Sequence, residues 1–408
     1  MVILKNNDII WRGLAAVAFF LGMACGSRTA AQQDAALATD TVNLSYTVEE
    51  APEWTRLFDR TSGWFGADGI FSIPLHGVDT PQSGQGSKTL LVFSDTMIGE
   101  IEDGELQPGS VMINNSVAIL DGVTPDESRI RFFWDSDSAG KPLSVFVPKT
   151  PQAQPGEYFW LGDGFVNQEL GNTTYVFGYR IRRTDAKVFP FEEVGNTLIA
   201  IPAGSQPPFK DHRQMDTPFF IRDSVDSRNN GSFGAGIFVN TAAAGAPTPD
   251  GYVYVYGVRG PAKQVLVARV KPKDFEHFTA WRFWDGAAWN TDMYKAAPIA
   301  DRVSNELSVT PLPDGRYALV FQTDGIGTTV GLRIGLSPAG PFGPIKVLWD
   351  CPEVEQKGIF VYNAKAHFNL SKKGELLISY NVNSFDFLAD IRKTPNLYRP
   401  RFIRVKFL

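Results

Sequence analysis

Cysteine and histidine are scarce in this chain, whose 408 residues include two cysteines and four histidines. The cysteines are Cys25, in an N-terminal apolar segment, and Cys351, so no disulfide is expected within the folded body. The chain has no clustered Cys/His set, no His-Glu-x-x-His, no P-loop, no Gly-x-Ser-x-Gly and no dinucleotide fingerprint. Sequence support for a zinc, nucleotide or serine-hydrolase site is therefore missing, and no cofactor is expected.

Basic clusters and long amphipathic helices are also missing. Lysine and arginine number 39 against 44 aspartates and glutamates, which gives a formal net charge of −5. Without a basic patch, nucleic acid is not an expected partner. The chain is instead rich in aromatic residues, with 30 Phe, 12 Tyr and 9 Trp, and it has 38 Gly and 27 Pro. Aromatic residues favour strands, and Gly and Pro favour tight turns, so the composition predicts an all-β protein.

The N-terminus predicts export. Lys5 and Arg12 precede the apolar stretch 14–24, which has the length of a signal-peptide core and is too short to span a bilayer. The stretch ends in LGMACGS, which resembles a bacterial lipoprotein signal with Cys25 as the lipidated residue, while ordinary cleavage near 29–31 is the alternative. We therefore predict a signal peptide at 1–25, a flexible spacer at 26–50 and one folded domain at 51–408, with membrane contact only through a lipid anchor.

Five groups of related strands recur along the body. FGADGIF at 65–71 has a counterpart in FGAGIF at 233–238, and each precedes a turn and an apolar strand, KTLLVFSD and DGYVYVYG. LGDGFVNQ, NELSVT and NAKAHFNL precede TTYVFGYRI, RYALVFQ and ELLISYNV in the same way. Five groups of about four strands predict a five-bladed β-propeller, and a two-sheet sandwich is the main alternative.

Polar residues recur at the starts of the predicted first strands. In a propeller these strands line one central channel, so their starts face a shared funnel. The residues there are Asp68, Asp163, Glu306 and His367, whereas the third group has glycine. Convergent polar groups in a concavity are typical of a small-molecule site. The alternatives are local: Asp163 is a turn residue, Glu306 pairs with Arg302, and His367 is a buried core imidazole.

Asp95 adds a second carboxylate to the first group. It ends the strand LLVFSD, and antiparallel pairing around a turn at 76–88 places it beside Asp68. Two neighbouring carboxylates repel, so one of them is expected to hold a proton near neutral pH. Such pairs carry out the chemistry of most glycoside hydrolases, while turn and strand-end capping is the alternative role.

Three further residues are candidates for binding a sugar. Asn114 and Asn115 precede the apolar strand VAIL, where their amides either bond sugar hydroxyls or simply begin the strand. Trp160 either stacks on a sugar ring or packs in the core.

Several stretches of the chain resemble a bacterial family of five-bladed propellers that was long catalogued without a function. They are GADGIFSIPL, LLVFSDTMIG, NNSVAIL, YNAKAHFNL, LLISYNVN and RFIRVKF. The characterised members of that family are endo-D-arabinanases, and the resemblance covers both ends of the body but 125–300 only loosely. It implies catalysis by Asp68 and Asp95 at the channel mouth of the first blade. Glu306 answers to the acid glutamate that related five-bladed glycosidases carry on a later blade.

These patterns predict an exported, endo-acting glycoside hydrolase that cleaves an arabinose-containing polysaccharide. The predicted catalytic residues are Asp68, Asp95 and Glu306, and the predicted substrate-binding residues are Asp163, Asn114, Asn115, Trp160 and His367. No metal-ligand set is predicted. The alternatives are a carbohydrate-binding or protein-interaction propeller without turnover, and a glycosidase acting on another furanoside or a pyranoside.

Overall fold

The computed structural model describes residues 41–186 and 189–408, and within these ranges the chain is mostly β-strand. The predicted signal peptide, with Cys25, lies outside the described residues. Within the described ranges no helix is both long and apolar enough to cross a membrane.

Most strands belong to five antiparallel sheets, numbered here in chain order. Sheet 1 consists of Phe71–Pro74, Lys88–Phe93, Ser116–Asp121 and Ile130–Phe133. Sheet 2 consists of Tyr158–Asn167, Thr173–Arg183, Phe191–Ile201 and Arg213–Asp216. Sheet 3 consists of Phe220–Ile221, Gly231–Asn240, Tyr252–Arg259, Gln264–Val270, Arg282–Trp284 and Trp289–Asn290. Sheet 4 consists of Leu307–Pro311, Tyr317–Gln322, Thr329–Gly335 and Lys346–Asp350. Sheet 5 consists of Ile359–Ala366, Glu375–Ser384, Arg401–Phe407 and Tyr46–Glu50.

The remaining elements are short. A small sheet combines Ser62–Ala67, Thr96–Glu102, Glu105–Leu106 and Val111–Ile113, and a separate pair joins Asp135–Ser136 to Pro142–Leu143. Among the described residues, the α-helices are Pro52–Leu57 and Phe387–Lys393. The 3₁₀ helices are Glu127–Arg129, Gln168–Leu170, Ser227–Asn229, Pro272–Asp274, Phe278–Ala280, Met293–Lys295, Pro352–Glu355, Phe368–Leu370 and Pro395–Leu397.

One strand of each sheet, called the inner strand below, contacts the inner strand of the next sheet along the chain. The inner strands are Phe71–Pro74, Tyr158–Asn167, Gly231–Asn240, Leu307–Pro311 and Ile359–Ala366. The circuit closes because Phe368–Leu370, which follows the inner strand of sheet 5, contacts that of sheet 1. Glycine permits the close approach: a Cβ on Gly236 would lie 2.7 Å from the carbonyl oxygen of Leu307.

Apolar side chains fill the gap between each sheet and the next. Five buried clusters lie between consecutive sheets, including the gap between sheets 5 and 1. Each cluster joins side chains of two neighbouring sheets, as in the pairs Ile73 and Val176, Phe177 and Phe233, Tyr256 and Leu319, Val320 and Ile378, and Phe93 and Leu377. The predictions of a mostly β fold and of recurring antiparallel groups of about four strands are confirmed.

The first and last strands of the described residues pair in sheet 5. Tyr46 pairs with Phe407, and the register continues to Glu50 opposite Ile403. The predicted flexible spacer is therefore shorter than 26–50, because its last five residues, Tyr46–Glu50, are fixed as the outer strand of a sheet.

Candidate active site

Asp68 and Asp95 face each other at a junction between two sheets. The segment 62–74 runs antiparallel to 88–102, with Ala67 opposite Thr96 and Phe71 opposite Val92. This register places Asp68 opposite Asp95, and the Asp68 amide donates a hydrogen bond to the Asp95 carbonyl oxygen at 3.2 Å. The sequence predicted this pairing from the length of the hairpin.

Glycine allows the chain to turn at this junction. Gly69 has a φ of +62°, in the left-handed region that favours glycine, and a Cβ there would lie 2.7 Å from the Ser94 hydroxyl oxygen. Gly66 lies against the Tyr398 backbone, where a Cβ would be 2.2 Å from the carbonyl oxygen. The small residues around Asp68 therefore hold its backbone in a position that other residues would disturb.

Asp68 is half-buried and accepts a hydrogen bond from the Tyr362 hydroxyl at 2.6 Å. Burial raises the pKa of its carboxyl, and the Tyr362 and Tyr398 hydroxyls and the Lys365 ammonium oppose that rise. These three groups favour the ionised form of Asp68.

Asp95 lies in a different environment. Its Oδ1 accepts a hydrogen bond from the Asn114 amide at 3.0 Å. Burial and the negative charge of Asp68 raise the pKa of Asp95 to about 7, against smaller opposing effects of Asn114, Trp160 and Arg183. Near neutral pH, Asp95 therefore holds a proton more readily than an ordinary aspartate.

Glu306 is buried in an ion pair. Lys365 Nζ lies 2.5 Å from Glu306 Oε2, and the Asn363 amide donates to Oε1 at 2.7 Å. Burial raises the pKa of Glu306, and the Lys365 ammonium opposes that rise. Because an ammonium in direct contact stabilises a carboxylate, we assign the pair as ionised. Lys365 also lies over the Phe71 ring, at 4.5 Å from its centroid, so it reaches the inner strand of sheet 1.

Sequence reasoning missed Lys365, although the internal repeat contains a signal for it. YNAK at 362–365 aligns with FGAD at 65–68, so Lys365 occupies in sheet 5 the place of Asp68 in the first group. The register shifts within this motif, between Tyr362 and Lys365, as it does in the sheet 3 copy, between Phe233 and Gly236.

Asp163 lies within the inner strand of sheet 2 at a register shift. Its Oδ1 accepts from the Gly164 amide at 2.8 Å, and its Oδ2 accepts from the Ile237 amide in sheet 3 at 2.7 Å. Burial raises its pKa to about 7, and the two amides oppose the rise. Asp163 therefore joins two inner strands, and both of its oxygens are already engaged.

The side chains of Asn115 and His367 are engaged within the protein. The Asn115 amide group bonds the backbone of Phe146 and Phe159, at 2.7–3.1 Å. The two ring nitrogens of His367 lie 3.1 Å from the Ser72 hydroxyl and 2.8 Å from the Ser379 hydroxyl. Neither residue has a free polar group for a sugar.

The predicted position of His367 needs correction. It follows the inner strand Ile359–Ala366 rather than starting it, so it lies away from the Asp68 end. Burial lowers the pKa of its imidazole to about 3, which makes it neutral. The structure favours the buried-imidazole alternative because the strand begins eight residues earlier, at Ile359.

Aromatic side chains stand on both sides of the carboxylate pair. On the sheet 2 side, the half-buried Trp160 packs edge-on against Phe191, with ring centroids 4.6 Å apart. On the sheet 5 side, the ring centroid of Phe360 lies 5.5 Å from that of Tyr362 and 4.8 Å from that of Phe385. Phe385 is 61% exposed. Partly exposed rings beside a carboxylate pair can contact the apolar faces of sugar rings.

Residues 41–186 and 189–408 contain no group of three or more His, Cys, Asp or Glu side chains arranged to hold a metal ion.

The fold and the site define a mostly β protein of antiparallel sheets with a carboxylate pair where two of its strands meet. The chain belongs to the DUF5005 family, a domain of unknown function, which matches residues 52–407. No curated protein matches it. The arabinanase resemblance therefore stays a prediction.

Two solved structures are similar to this chain. A protein from Bacteroides ovatus ATCC 8483, described as a candidate hydrolase, is 20% identical with a TM-score of 0.67, and the match covers 88% of this chain and 90% of that one. A GH43_1 enzyme from Xanthomonas citri, crystallised with xylose, is 14% identical with a TM-score of 0.39, over 86% of this chain and 92% of that one. The first match establishes a shared fold, and the second is too distant to support a conclusion.

Proposed function

We propose that this chain is a glycoside hydrolase built as a five-bladed β-propeller. Five sheets, a closed circuit of inner strands and an apolar cluster in each gap between sheets support this architecture. A two-sheet sandwich has a single interface between sheets, so it does not account for five clusters.

The observation that carries the function is the pairing of Asp68 and Asp95 in unlike environments. Burial raises the pKa of both carboxyls; two hydroxyls and an ammonium oppose the rise at Asp68, whereas the charge of Asp68 adds to the rise at Asp95. Neighbouring carboxyl groups whose environments separate their pKa values are typical of an acid and nucleophile pair.

The roles follow from these protonation states. An ionised Asp68 oxygen forms a bond to the anomeric carbon while the bond to the leaving oxygen breaks, and Asp95 gives its proton to that oxygen. Water then displaces Asp68 from the sugar, with Asp95 taking the proton of the attacking water. This cycle restores both carboxyl groups and consumes one water for each bond cleaved.

Glu306 has a positioning role in this proposal, in place of the acid role that the sequence suggested. Its carboxylate is held by Lys365 and Asn363, so it has no proton to give. The same Lys365 ammonium acts on Asp68 and favours its charged form. Glu306 thus fixes the cation that helps to keep the nucleophile ionised.

The proposed substrate is an arabinose-containing polysaccharide, cleaved within the chain. The sequence resemblance to endo-D-arabinanases supports the sugar, and rings on both sides of the carboxylate pair suit a chain that extends past the site in two directions. Two of the predicted binding residues, Asn114 and Trp160, lie beside Asp95. Asp163 lies in the inner strand of sheet 2.

We also propose that the protein is exported and anchored through Cys25, since the N-terminus resembles a lipoprotein signal. Expression in a bacterial host with labelled palmitate should label the wild type and leave Cys25→Ala unlabelled. An unlabelled wild type would support cleavage near 29–31 instead.

The test of function is a polysaccharide screen for released oligosaccharides, using wild type, Asp68→Asn and Asp95→Asn. Asp103→Asn is the matched control, because Asp103 is an exposed aspartate with a φ of 51° that asparagine also tolerates. We expect the first two variants to lose activity by at least about a hundredfold while the control keeps it.

Thermal unfolding of all four proteins separates lost catalysis from lost folding. Activity that survives both Asp68→Asn and Asp95→Asn would refute the proposal. Binding of the polysaccharide without release of any product would favour the non-catalytic, carbohydrate-binding alternative.

A further inference from the structure

A cavity of about 270 Å³ opens between sheets 2, 3 and 4. Polar and charged side chains from all three sheets or their adjoining loops line it: Glu192, Glu193, Ser227, Arg228, Asn230, Ser232, Lys263 and Asn305. Pockets for larger organic ligands measure about 300–1,000 Å³, so this one suits a single sugar ring.

The cavity lies where the inner strands of sheets 3 and 4 begin, and Asp68 likewise precedes the inner strand of sheet 1. Ser232 is the second residue of the inner strand of sheet 3, and Asn305 directly precedes Glu306. Tyr179 connects the two regions: burial raises the pKa of its hydroxyl, and the Glu193 charge raises it further. The carboxylates of Glu306 and Asp163 act on the same hydroxyl.

Glu193 is a partly buried side chain in the lining of this cavity. Its Oε1 is buried and has no hydrogen-bond partner within residues 41–186 and 189–408. Burial raises the pKa of Glu193 to about 8, so near neutral pH its carboxyl is mostly uncharged and can both donate and accept.

Lys263 faces the cavity from the opposite wall. Its ammonium donates to Asn305 Oδ1 at 2.6 Å, and an ammonium has three donors, so two remain. Lys263 has a φ of 50°, which is uncommon for a residue with a side chain, and its burial lowers the pKa of its ammonium. A strained position that keeps a polar group at a cavity is frequent at binding sites.

We propose that this cavity is a distal subsite, in which Glu193 and Lys263 bind the hydroxyl groups of one sugar residue away from the cleaved bond. This inference rests on the proposed function, because the sugar belongs to the polysaccharide that Asp68 and Asp95 cleave. Two carboxyl groups, an ammonium, a guanidinium and amide groups supply the hydrogen-bond donors and acceptors that a hydroxyl-rich ring needs.

The test compares arabino-oligosaccharides of increasing length, with Glu193→Ala and Lys263→Met as variants. Glu169→Gln is the control, because Glu169 is an exposed glutamate just past the other end of the inner strand of sheet 2. Isothermal titration measures affinity in an Asp68→Asn background, and kcat/KM is measured in the otherwise wild-type protein.

We expect each variant to weaken binding of the long oligosaccharides by about tenfold, the effect of one hydrogen-bonded contact, and to leave kcat/KM for the shortest cleaved substrate unchanged. Equal losses for short and long substrates, or no loss for either, would overturn the subsite. If the wild type binds longer oligosaccharides more tightly but cleaves none, the proposed hydrolase function would be refuted. The proposed subsite would still be supported, because titration measures binding without turnover.

Discussion

Removing the Lys365 ammonium should destabilise the fold, because Glu306 would keep a buried carboxylate without its cation. The side chains of Lys365 and Glu306 are 1% and 9% exposed, so water cannot replace the lost partner. Breaking a buried ion pair by removing one partner costs about 3–5 kcal/mol. With an unfolding entropy of about 2.1 cal/mol/K per residue and roughly 350 residues, Lys365→Met should lower Tm by about 4–7 °C.

The pH dependence of this loss has a definite sign. Without Lys365, the folded-state pKa of Glu306 rises above its unfolded value, so folding is favoured where Glu306 is protonated. The loss should therefore be smallest near pH 4, around the unfolded pKa of a glutamate of about 4.3, and should grow as the pH rises. Differential scanning calorimetry across this range measures it.

A matched surface pair and a double variant complete the experiment. Arg302 contacts Asp324 at 2.7 Å, but these side chains are 58% and 50% exposed, so Arg302→Met should cost at most about 1 kcal/mol. Adding Glu306→Gln to Lys365→Met should recover at least about half of the lost stability, because the buried charge is gone. If Lys365→Met and the control Arg302→Met have the same Tm, the buried ion pair does not stabilise the fold. That result would also refute the positioning role of Glu306.

Three further predictions concern the carboxylate pair. Because Asp95 must hold a proton and its pKa is about 7, the initial rate should fall as the pH rises through about 7; a rate that is flat from pH 6 to about 8 would remove Asp95 as the acid. Tyr362→Phe deletes the 2.6 Å hydrogen bond to Asp68, so the acidic limb of the pH–rate profile should move to higher pH, and an unmoved limb would show that the bond does not favour the ionised form. Cross-strand neighbours have Cβ atoms about 4.5–5.5 Å apart, which suits the roughly 5–5.5 Å carboxyl separation of retaining enzymes. Proton NMR should therefore first detect a product of retained anomeric configuration. An inverted product would rule out Asp68 as the nucleophile.

Local sequence was sufficient to predict the strands and the pairing of Asp68 with Asp95. Both residues belong to one hairpin, so counting from the turn gives the register without knowledge of the rest of the fold. The same reasoning misplaced His367, because nothing in NAKAHFNL shows where the inner strand ends. It also assigned Asn115 to the substrate, since its backbone partners Phe146 and Phe159 lie 31 and 44 residues away.

The sequence by itself determined the β class, the recurring strand groups and the pairing of Asp68 with Asp95, because alternation, turn residues and hairpin register are properties of short segments. Only the tertiary structure decided which groups surround those carboxylates. Tyr362 reaches Asp68 across 294 residues of chain, and Lys365 pairs with Glu306 across two sheets. Such contacts depend on how whole sheets pack around a shared centre, and that packing sets the burial and the neighbouring charges that separate the pKa values of two otherwise similar aspartates.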